Sequence, residues 1–170
     1  IYRRNHIHHC TRGLWLDWQA QGTRVTQNLF HDNTLPIADD CIARDAVGLG
    51  EDIFVEVSHG PTLIDNNLLL SDRSLKLPTQ GVALVHNLIA GSIAAVGIGT
   101  DNGSKSLPSA RYTPYHVPHR TEVAGFMTIL HGDIRFYNNI FVQKRQRPGM
   151  VGIMEYMQNE GKTEWDGGNL

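Results

Sequence analysis

One asparagine recurs in five segments of this chain, each time within the same apolar pattern. A hydrophobic residue stands three positions before it, and another stands two positions after it. The asparagines follow one another at intervals of 23, 39, 20 and 52 residues and are Asn5, Asn28, Asn67, Asn87 and Asn139. These intervals fit a repeat of roughly 20 residues or slightly more, with insertions in the second and fourth gaps. We therefore predict an all-β solenoid, in which each repeat is one coil of a parallel β-helix.

The asparagine column predicts a corner of that solenoid. Asparagine tolerates the left-handed backbone conformation that a sharp bend requires, and its side-chain amide can stack on the amide of the neighbouring coil. We therefore expect the asparagines themselves to adopt this conformation and to form a ladder along the solenoid.

The same repeat aligns two acids. Asp17 lies eleven residues before Asn28, and Glu56 lies eleven residues before Asn67. Side chains alternate between the two faces of a strand, so Leu14, Leu16, Ile53 and Val55 should face the core, with Trp15, Asp17, Phe54 and Glu56 outward. Neighbouring strands lie roughly 4.8 Å apart, close to the about 5 to 5.5 Å between the two carboxylates of a retaining glycosidase. The sequence thus predicts an outward acid pair suited to glycoside hydrolysis.

Aromatic side chains accompany this acid pair. Trp15 offers a ring face on which a sugar could stack, whereas Trp18, next to Asp17, is expected to point inward. His59, three residues beyond Glu56, is interpreted either as a residue that orients a carboxylate or binds a hydroxyl group, or as a turn histidine facing solvent.

Lys76 occupies the position equivalent to Glu56 in the next repeat. Strict stacking would place its ammonium beside Glu56 and favour the ionised carboxylate, which opposes a general-acid role. The alternative is an exposed ridge residue that contributes little.

Two insertions interrupt the coils, which we expect to span residues 1–142. The first, near 34–50, includes a mildly helical segment, 38–45, and either walls one side of the site or is a surface excursion. The second, 91–122, is rich in glycine, serine and proline and carries Tyr115 and His116, so it is either a sugar-binding loop or a loop packed on the coils. The repeat resumes over 123–142, and a polar tail, 143–170, follows.

Composition limits the classes of partner. The formal net charge of -2 provides no electrostatic footprint for nucleic acid or an anionic membrane. The cluster of His6, His8 and His9 lacks a well-spaced further ligand, so we expect no metal and no cofactor. Cys10 and Cys41 are expected to be free thiols. A homo-oligomer stays open, as do a cytoplasmic and a secreted location. The sequence shows no terminal caps of the kind that a solenoid needs, so we expect an internal or C-terminal piece of a longer β-helix.

Two segments resemble glycoside hydrolase family 120, namely Gly13–Gly22 and Asp52–Pro61 followed by Asp65–Asn67. Similar stretches occur at 111–116 and 135–139. The resemblance implies a β-xylosidase on a right-handed parallel β-helix of the pectate lyase-like kind. It also implies a retaining mechanism with Asp17 as nucleophile and Glu56 as general acid/base. The 16 additional residues near 34–50 depart from the family pattern.

These observations together predict a retaining, exo-acting β-xylosidase that releases xylose from xylo-oligosaccharides or another β-glycoside, as in xylan degradation. Asp17 and Glu56 are the predicted catalytic residues, and the predicted substrate-binding residues are Trp15, His59, Tyr115 and His116. Two alternatives stay open: a polysaccharide lyase on the same scaffold, with Arg73 or Lys76 as base, and a non-catalytic carbohydrate-binding β-helix.

Overall fold

The computed structural model describes residues 1–33, 50–94, 112–117, 120, 122–128 and 133–142, and these contain strands but no helix. Most strands belong to three parallel sheets. Sheet A comprises β1 (Tyr2–Arg3), β4 (Thr23–Thr26), β7 (Thr62–Asp65), β10 (Val82–Val85) and β15 (Ile134–Tyr137). Sheet B comprises β2 (His6–His8), β5 (Leu29–His31), β8 (Leu68–Leu69), β11 (Leu88–Ile89) and β16 (Ile140–Phe141). Sheet C comprises β3 (Leu14–Leu16), β6 (Glu51–Val55), β9 (Arg73–Lys76) and β12 (Ser92–Ala94).

The chain passes from sheet A to sheet B to sheet C and then begins the next coil. Within each sheet a strand pairs in parallel with its equivalent one coil away, as Val25 does with Ile64 and Ile64 with Leu84. The predicted parallel β-helix is therefore confirmed.

The core lies inside these coils and consists of inward side chains from all three sheets. Its fully buried members include Val25, Ile64 and Leu84 from sheet A, Phe30 and Leu69 from sheet B, and Ile53, Val55 and Leu75 from sheet C. Because inward positions alternate with outward ones along each strand, the apolar pattern of the repeat places these residues together.

The asparagine ladder forms as predicted. Each side-chain amide donates to the amide oxygen of the next coil, over 2.9 Å from Asn5 to Asn28, 2.9 Å from Asn28 to Asn67, 3.0 Å from Asn67 to Asn87 and 2.9 Å from Asn87 to Asn139. The same oxygen also accepts the backbone N–H of the preceding asparagine in the column, as between Asn28 and Asn67. The ladder thus satisfies both backbone and side-chain groups at the corner between sheets A and B.

The expected backbone conformation of the asparagines is wrong. The left-handed residue is in each case the one immediately before the asparagine, with φ between 51° and 59°: Arg4, Gln27, Asn66, His86 and Asn138. The asparagine side chain is needed inside the corner to bond the adjacent coils, so the bend itself falls on its neighbour.

Both predicted interruptions lie between strands of the solenoid. The first separates β5 from β6; residues 34–49, with the expected helical segment and Cys41, lie outside the described residues, as does the tail. The second contains an antiparallel hairpin of β13 (Tyr112–His116) and β14 (Val123–Thr128). The sequence prediction resumed the coils at residue 123, but that strand pairs within the hairpin and the coils resume at β15. Where residues are described, no helix is long and apolar enough to cross a membrane.

Candidate active site

Asp17 and Glu56 lie at equivalent places at the ends of two paired strands. Leu14 pairs with Ile53 and Leu16 with Val55, and the Glu56 N–H donates to the Leu16 carbonyl over 2.8 Å. The pairing therefore continues to the level of the acids, one strand spacing of roughly 4.8 Å apart. Asp17 is exposed and Glu56 is half-buried.

A short turn surrounds Asp17. Its Oδ1 accepts the Trp18 N–H over 2.7 Å, and its carbonyl accepts the Ala20 N–H over 2.9 Å. The expectation that Trp18 points inward is wrong, because 39% of its surface is exposed. Strand β3 ends at Leu16, so the alternation of faces does not extend into this turn.

Glu56 is held by an aromatic neighbour from the adjacent coil. The indole Nε1 of Trp15 donates to Glu56 Oε2 over 2.9 Å. The Trp15 ring stacks on Phe54, with ring centroids 5.6 Å apart and an interplanar angle of 22°. Both aromatic residues lie on the outward face, as predicted, although Trp15 is 49% exposed and Phe54 only 4%.

The residue after Glu56 has a strained backbone. Val57 is buried and has φ of 30°, and its N–H donates to the Pro78 carbonyl over 3.0 Å. A β-branched residue in this region costs on the order of 1–3 kcal/mol and persists only where the surroundings enforce it. The strain fixes the direction in which the chain leaves Glu56.

Lys76 does not lie where strict stacking predicted. It pairs with Phe54, and in the following sheet Val82 pairs with Thr62. Phe54 and Thr62 are eight positions apart in the sequence, whereas Lys76 and Val82 are six apart. Measured between paired positions, the connection from sheet C to sheet A is thus two residues longer after Phe54 than after Lys76. Lys76 is 4% exposed, so the interpretation as an exposed ridge residue is also wrong. Its Nζ lies 4.7 Å from the Phe54 ring centroid, away from the solvent-facing position a lyase base would occupy.

Burial controls the ionisation of Lys76. It lowers the pKa of the ammonium, whereas attraction to Glu51 and Glu56 opposes that shift. The Lys76 ammonium therefore gives up its proton more readily than that of an exposed lysine.

The hairpin packs on the coil that carries Glu56. The His59 Nε2 is 3.0 Å from the Met127 carbonyl, and its ring meets the Tyr115 ring edge-on at 5.9 Å. The Gln21 amide donates to the Pro114 carbonyl over 2.8 Å. His59 is therefore half-buried beneath the hairpin, and the interpretation of a turn histidine facing solvent is wrong.

A groove of about 710 Å³ runs between this hairpin and the coils. Its lining includes three of the predicted substrate-binding residues, together with Gln80, Arg120 and Met127; the three are His59, Tyr115 and His116. Trp15, Asp17 and Glu56 do not line it. The structure thus divides the predicted site residues into an acid group and a groove group.

Comparison with solved structures finds a similar β-helix. The chain matches XylC, solved in complex with xylose, with a TM-score of 0.64 and 39% sequence identity. The match covers 95% of this chain and 23% of XylC. The chain is therefore similar, over nearly all of its length, to part of a β-xylosidase of glycoside hydrolase family 120. Its parallel β-helix matches that of XylC, and it spans about a quarter of the XylC length. No protein-family profile and no curated protein sequence matches the chain.

Sequence reasoning missed two residues beside the acids. Arg12 and Glu51 lie five residues before Asp17 and Glu56 respectively, so they too are equivalent, and they form an ion pair with Nε and Oε2 3.4 Å apart. The signal that could have found them is this pairing of opposite charges at one register position. Their burial was not visible, because polar residues at such positions are usually exposed.

The predicted histidine cluster includes a member from the adjacent coil. The rings of His8 and His31 stack with centroids 5.0 Å apart, and His6 Nε2 is 2.6 Å from His31 Nε2. Within the described ranges, no group of three or more His, Cys, Asp or Glu residues is placed to hold a metal ion. Cys10 is a free thiol, as expected.

Proposed function

We propose that this chain supplies both catalytic carboxylates of a retaining β-xylosidase. The observation that carries the proposal is the position of Asp17 and Glu56, in register on adjacent coils, with the Trp15 indole bonded to Glu56. Their spacing of roughly one strand separation corresponds to a retaining rather than an inverting pair. The match to XylC, which was solved with xylose, supports a xylose-containing substrate.

In the first step, the Asp17 carboxylate attacks the anomeric carbon of the terminal xylose. The bond from that carbon to the glycosidic oxygen breaks, and Glu56 gives its proton to the departing oxygen. A xylosyl ester of Asp17 with inverted configuration results. In the second step, Glu56 accepts a proton from water, the water oxygen attacks the anomeric carbon, and the ester bond to Asp17 breaks. Two inversions release xylose with its original configuration.

The surroundings of the two acids support these roles. Equivalent positions on neighbouring coils are symmetric until their neighbours differ. Asp17 is exposed in a turn and accepts a backbone N–H, which stabilises a carboxylate. Glu56 is half-buried, and the Trp15 N–H fixes the orientation of its carboxyl group. A fixed orientation suits a group that must deliver a proton to one oxygen and later receive one from water.

The groove under the hairpin is the proposed site for the remainder of the oligosaccharide. Tyr115 and His116 bring aromatic and hydrogen-bonding groups to its wall, and His59 follows Glu56 by three residues on the same turn. Trp15 supplies an exposed ring beside the acids for the terminal xylose. Because the hairpin packs against one side of this coil, we propose exo-action with release of single xylose units.

The test is the configuration of the first product. The intact protein is incubated with an aryl β-xyloside, and proton NMR follows the anomers before mutarotation equilibrates them. We expect β-xylose first, together with little turnover of the matching aryl β-glucoside. α-Xylose as first product would contradict the retaining mechanism. Absence of hydrolysis would favour the non-catalytic scaffold or the lyase. Incubation with a uronate polymer separates these two, because only a lyase would release an unsaturated product that absorbs in the ultraviolet.

A further inference from the structure

A buried carboxylate lies directly behind the proposed acid/base. Glu51 is fully buried on strand β6, and no other residue in the described part of the chain donates a hydrogen bond to its carboxylate oxygens. Its nearest positive charges are Arg12, with Nε 3.4 Å from Oε2, and Lys76, with Nζ 3.9 Å from Oε1. An ionised carboxylate is expensive to bury unless it is paired. Such a group requires an explanation beyond packing.

The two cations beside Glu51 also contact the aromatic pair. The Arg12 guanidinium lies 4.5 Å from the Trp15 ring centroid and 4.3 Å from that of Phe54. Lys76 approaches Phe54 at 4.7 Å. Cation–π contacts of this kind favour one placement of both ring and cation. The Glu51 carboxylate therefore pairs with an arginine whose guanidinium covers the Trp15 ring.

Trp15 connects this ion pair to the proposed chemistry, because its Nε1 donates to Glu56 Oε2. A continuous set of contacts thus runs from Glu51 through Arg12 and Trp15 to Glu56. Glu51 itself does not touch the reacting atoms, so any effect on turnover must pass through these neighbours.

We infer that Glu51 is a positioning residue, which holds Arg12 against Trp15 and so fixes the indole hydrogen bond that orients the Glu56 carboxyl group. This inference rests on the proposed function of Glu56. The geometry supports it, since two cations lie within 3.9 Å of the carboxylate. Burial raises the pKa of the Glu51 carboxyl, whereas its own backbone N–H and the charges of Arg12, Lys76 and Arg73 limit that rise. Without the Glu51 carboxylate, Arg12 loses the counter-charge that lies 3.4 Å from its Nε, and the repulsion between Arg12 and Lys76 is no longer offset.

The experiment compares substrates that need a general acid with substrates that do not. Glu51→Gln is measured in the intact protein with xylobiose, a poor leaving group, and with a dinitrophenyl β-xyloside, which departs without protonation. We expect kcat/KM for xylobiose to fall about tenfold or more, and that for the dinitrophenyl xyloside to change less than about threefold. Arg12→Met keeps an apolar side chain over the rings of Trp15 and Phe54 but removes the charge that Glu51 holds, and it should reproduce this selective loss.

Asp65→Asn is the matched control. Asp65 is also a buried carboxylate paired with an arginine, Arg24, but it lies on sheet A away from the acids. It should lower kcat/KM for both substrates by the same factor, if at all. Thermal unfolding of each variant checks that it folds.

Equal losses for the two substrates in a folded Glu51→Gln protein would overturn the inference while leaving the proposed function standing. So would a selective loss in the Asp65→Asn control, because any buried ion pair would then have the same effect. Failure of the wild type to hydrolyse either xyloside would overturn both the proposed function and the inference. If Glu51→Gln does not fold, Arg12→Met decides alone, and equal losses there overturn the inference.

Discussion

Buried polar groups are hydrogen-bonded at the corner between sheets A and B, whereas on the outward face of sheet C a buried carboxylate is held by charge alone. At the corner, Asn67 is bonded to both neighbouring coils, and Asp65 accepts two 2.8 Å hydrogen bonds from Arg24. On the face of sheet C, Glu51 is buried against Arg12 without a hydrogen bond from any other described residue, and the backbone at Val57 is strained.

This difference separates stability from function within one solenoid. Satisfied hydrogen bonds at the corner keep the coils in register and stabilise the fold. Unsatisfied charge and backbone strain reduce stability and are typical of functional sites. Substitutions in the two regions should therefore have opposite signatures: loss of stability at the corner and loss of turnover on the face.

Glu56→Ala should have the largest effect. Removal of the proposed general acid lowers kcat/KM for xylobiose by about 10²- to 10⁴-fold, while the unfolding midpoint stays close to that of wild type because Glu56 is only half-buried. Initial rates and thermal unfolding measure the two quantities on the same preparation. A loss below about tenfold in a folded variant would remove Glu56 from the mechanism.

Asn67→Ala should show the reverse signature. Its amide donates to the Val25 carbonyl and to Asn87, and its oxygen accepts from Asn28, so truncation leaves several buried groups unpaired. We expect the free energy of unfolding to fall by about 3 kcal/mol or more, at about 1–3 kcal/mol for each unpaired group. Chemical denaturation measures the loss, and kcat/KM per folded molecule should be unchanged.

Asn5→Ala is the control for that ladder, since Asn5 is exposed and bonds to a single neighbour, Asn28. Its effect should be about 1 kcal/mol or less. Equal losses for Asn5 and Asn67 would show that the ladder does not act through buried hydrogen bonds.

The two buried carboxylates should also give pH dependences of opposite sign. The hydrogen bond from Arg24 lowers the pKa of Asp65, so its stabilising contribution is present above its ordinary range and is lost as the pH falls through the lowered value. Burial raises the pKa of Glu51, so the native state holds that proton more tightly and the contribution of Glu51 is lost as the pH rises towards the raised value.

Urea unfolding across the acidic to neutral range, for wild type, Asp65→Asn and Glu51→Gln, measures these slopes. The difference between wild type and Asp65→Asn should grow as the pH rises, and the difference between wild type and Glu51→Gln should shrink. If both differences in the free energy of unfolding changed with pH in the same direction, the proposed contrast between the corner and the face of sheet C would be wrong.

His59→Ala should have the smallest effect, because His59 belongs to neither region and contacts the hairpin. Loss of its contact with the Met127 carbonyl removes about 1 kcal/mol from hairpin docking. We expect faster hydrogen exchange in Val123–Thr128 and an increase in KM for xylotriose of a few-fold, with kcat nearly unchanged. An unchanged exchange rate would show that other contacts hold the hairpin.

The features predicted correctly from the sequence are those that depend on a residue's position within the repeat. The asparagine column, the inward positions of Ile53 and Val55 and the alignment of Asp17 with Glu56 all follow from counting residues within one repeat. Lys76 was misplaced because the connection from Phe54 to Thr62 is two residues longer than that from Lys76 to Val82, and a period does not show the length of a connection. The hairpin was missed because its strands pair locally and lie outside the repeat.

The ion pair behind the acids could not be predicted for a different reason. Arg12 and Glu51 are polar, yet Glu51 is buried and Arg12 lies over the stacked rings of Trp15 and Phe54 with only 17% of its side chain exposed. Likewise, the residue before each asparagine takes the left-handed conformation whatever its type, since Arg4, Gln27 and His86 all do so. The corner of each coil imposes that backbone conformation, and the conformational preference of the residue type does not predict it.

The central claim is that Asp17 is the nucleophile of a retaining pair, and chemical rescue tests it most directly. Asp17→Gly is assayed in the intact protein with an aryl β-xyloside, with and without azide. We expect no turnover without azide, and with azide the formation of α-xylosyl azide, of inverted configuration, because the small anion enters the space left by the carboxylate. Turnover at the wild-type rate without azide would contradict the claim and leave the acid pair without a catalytic role.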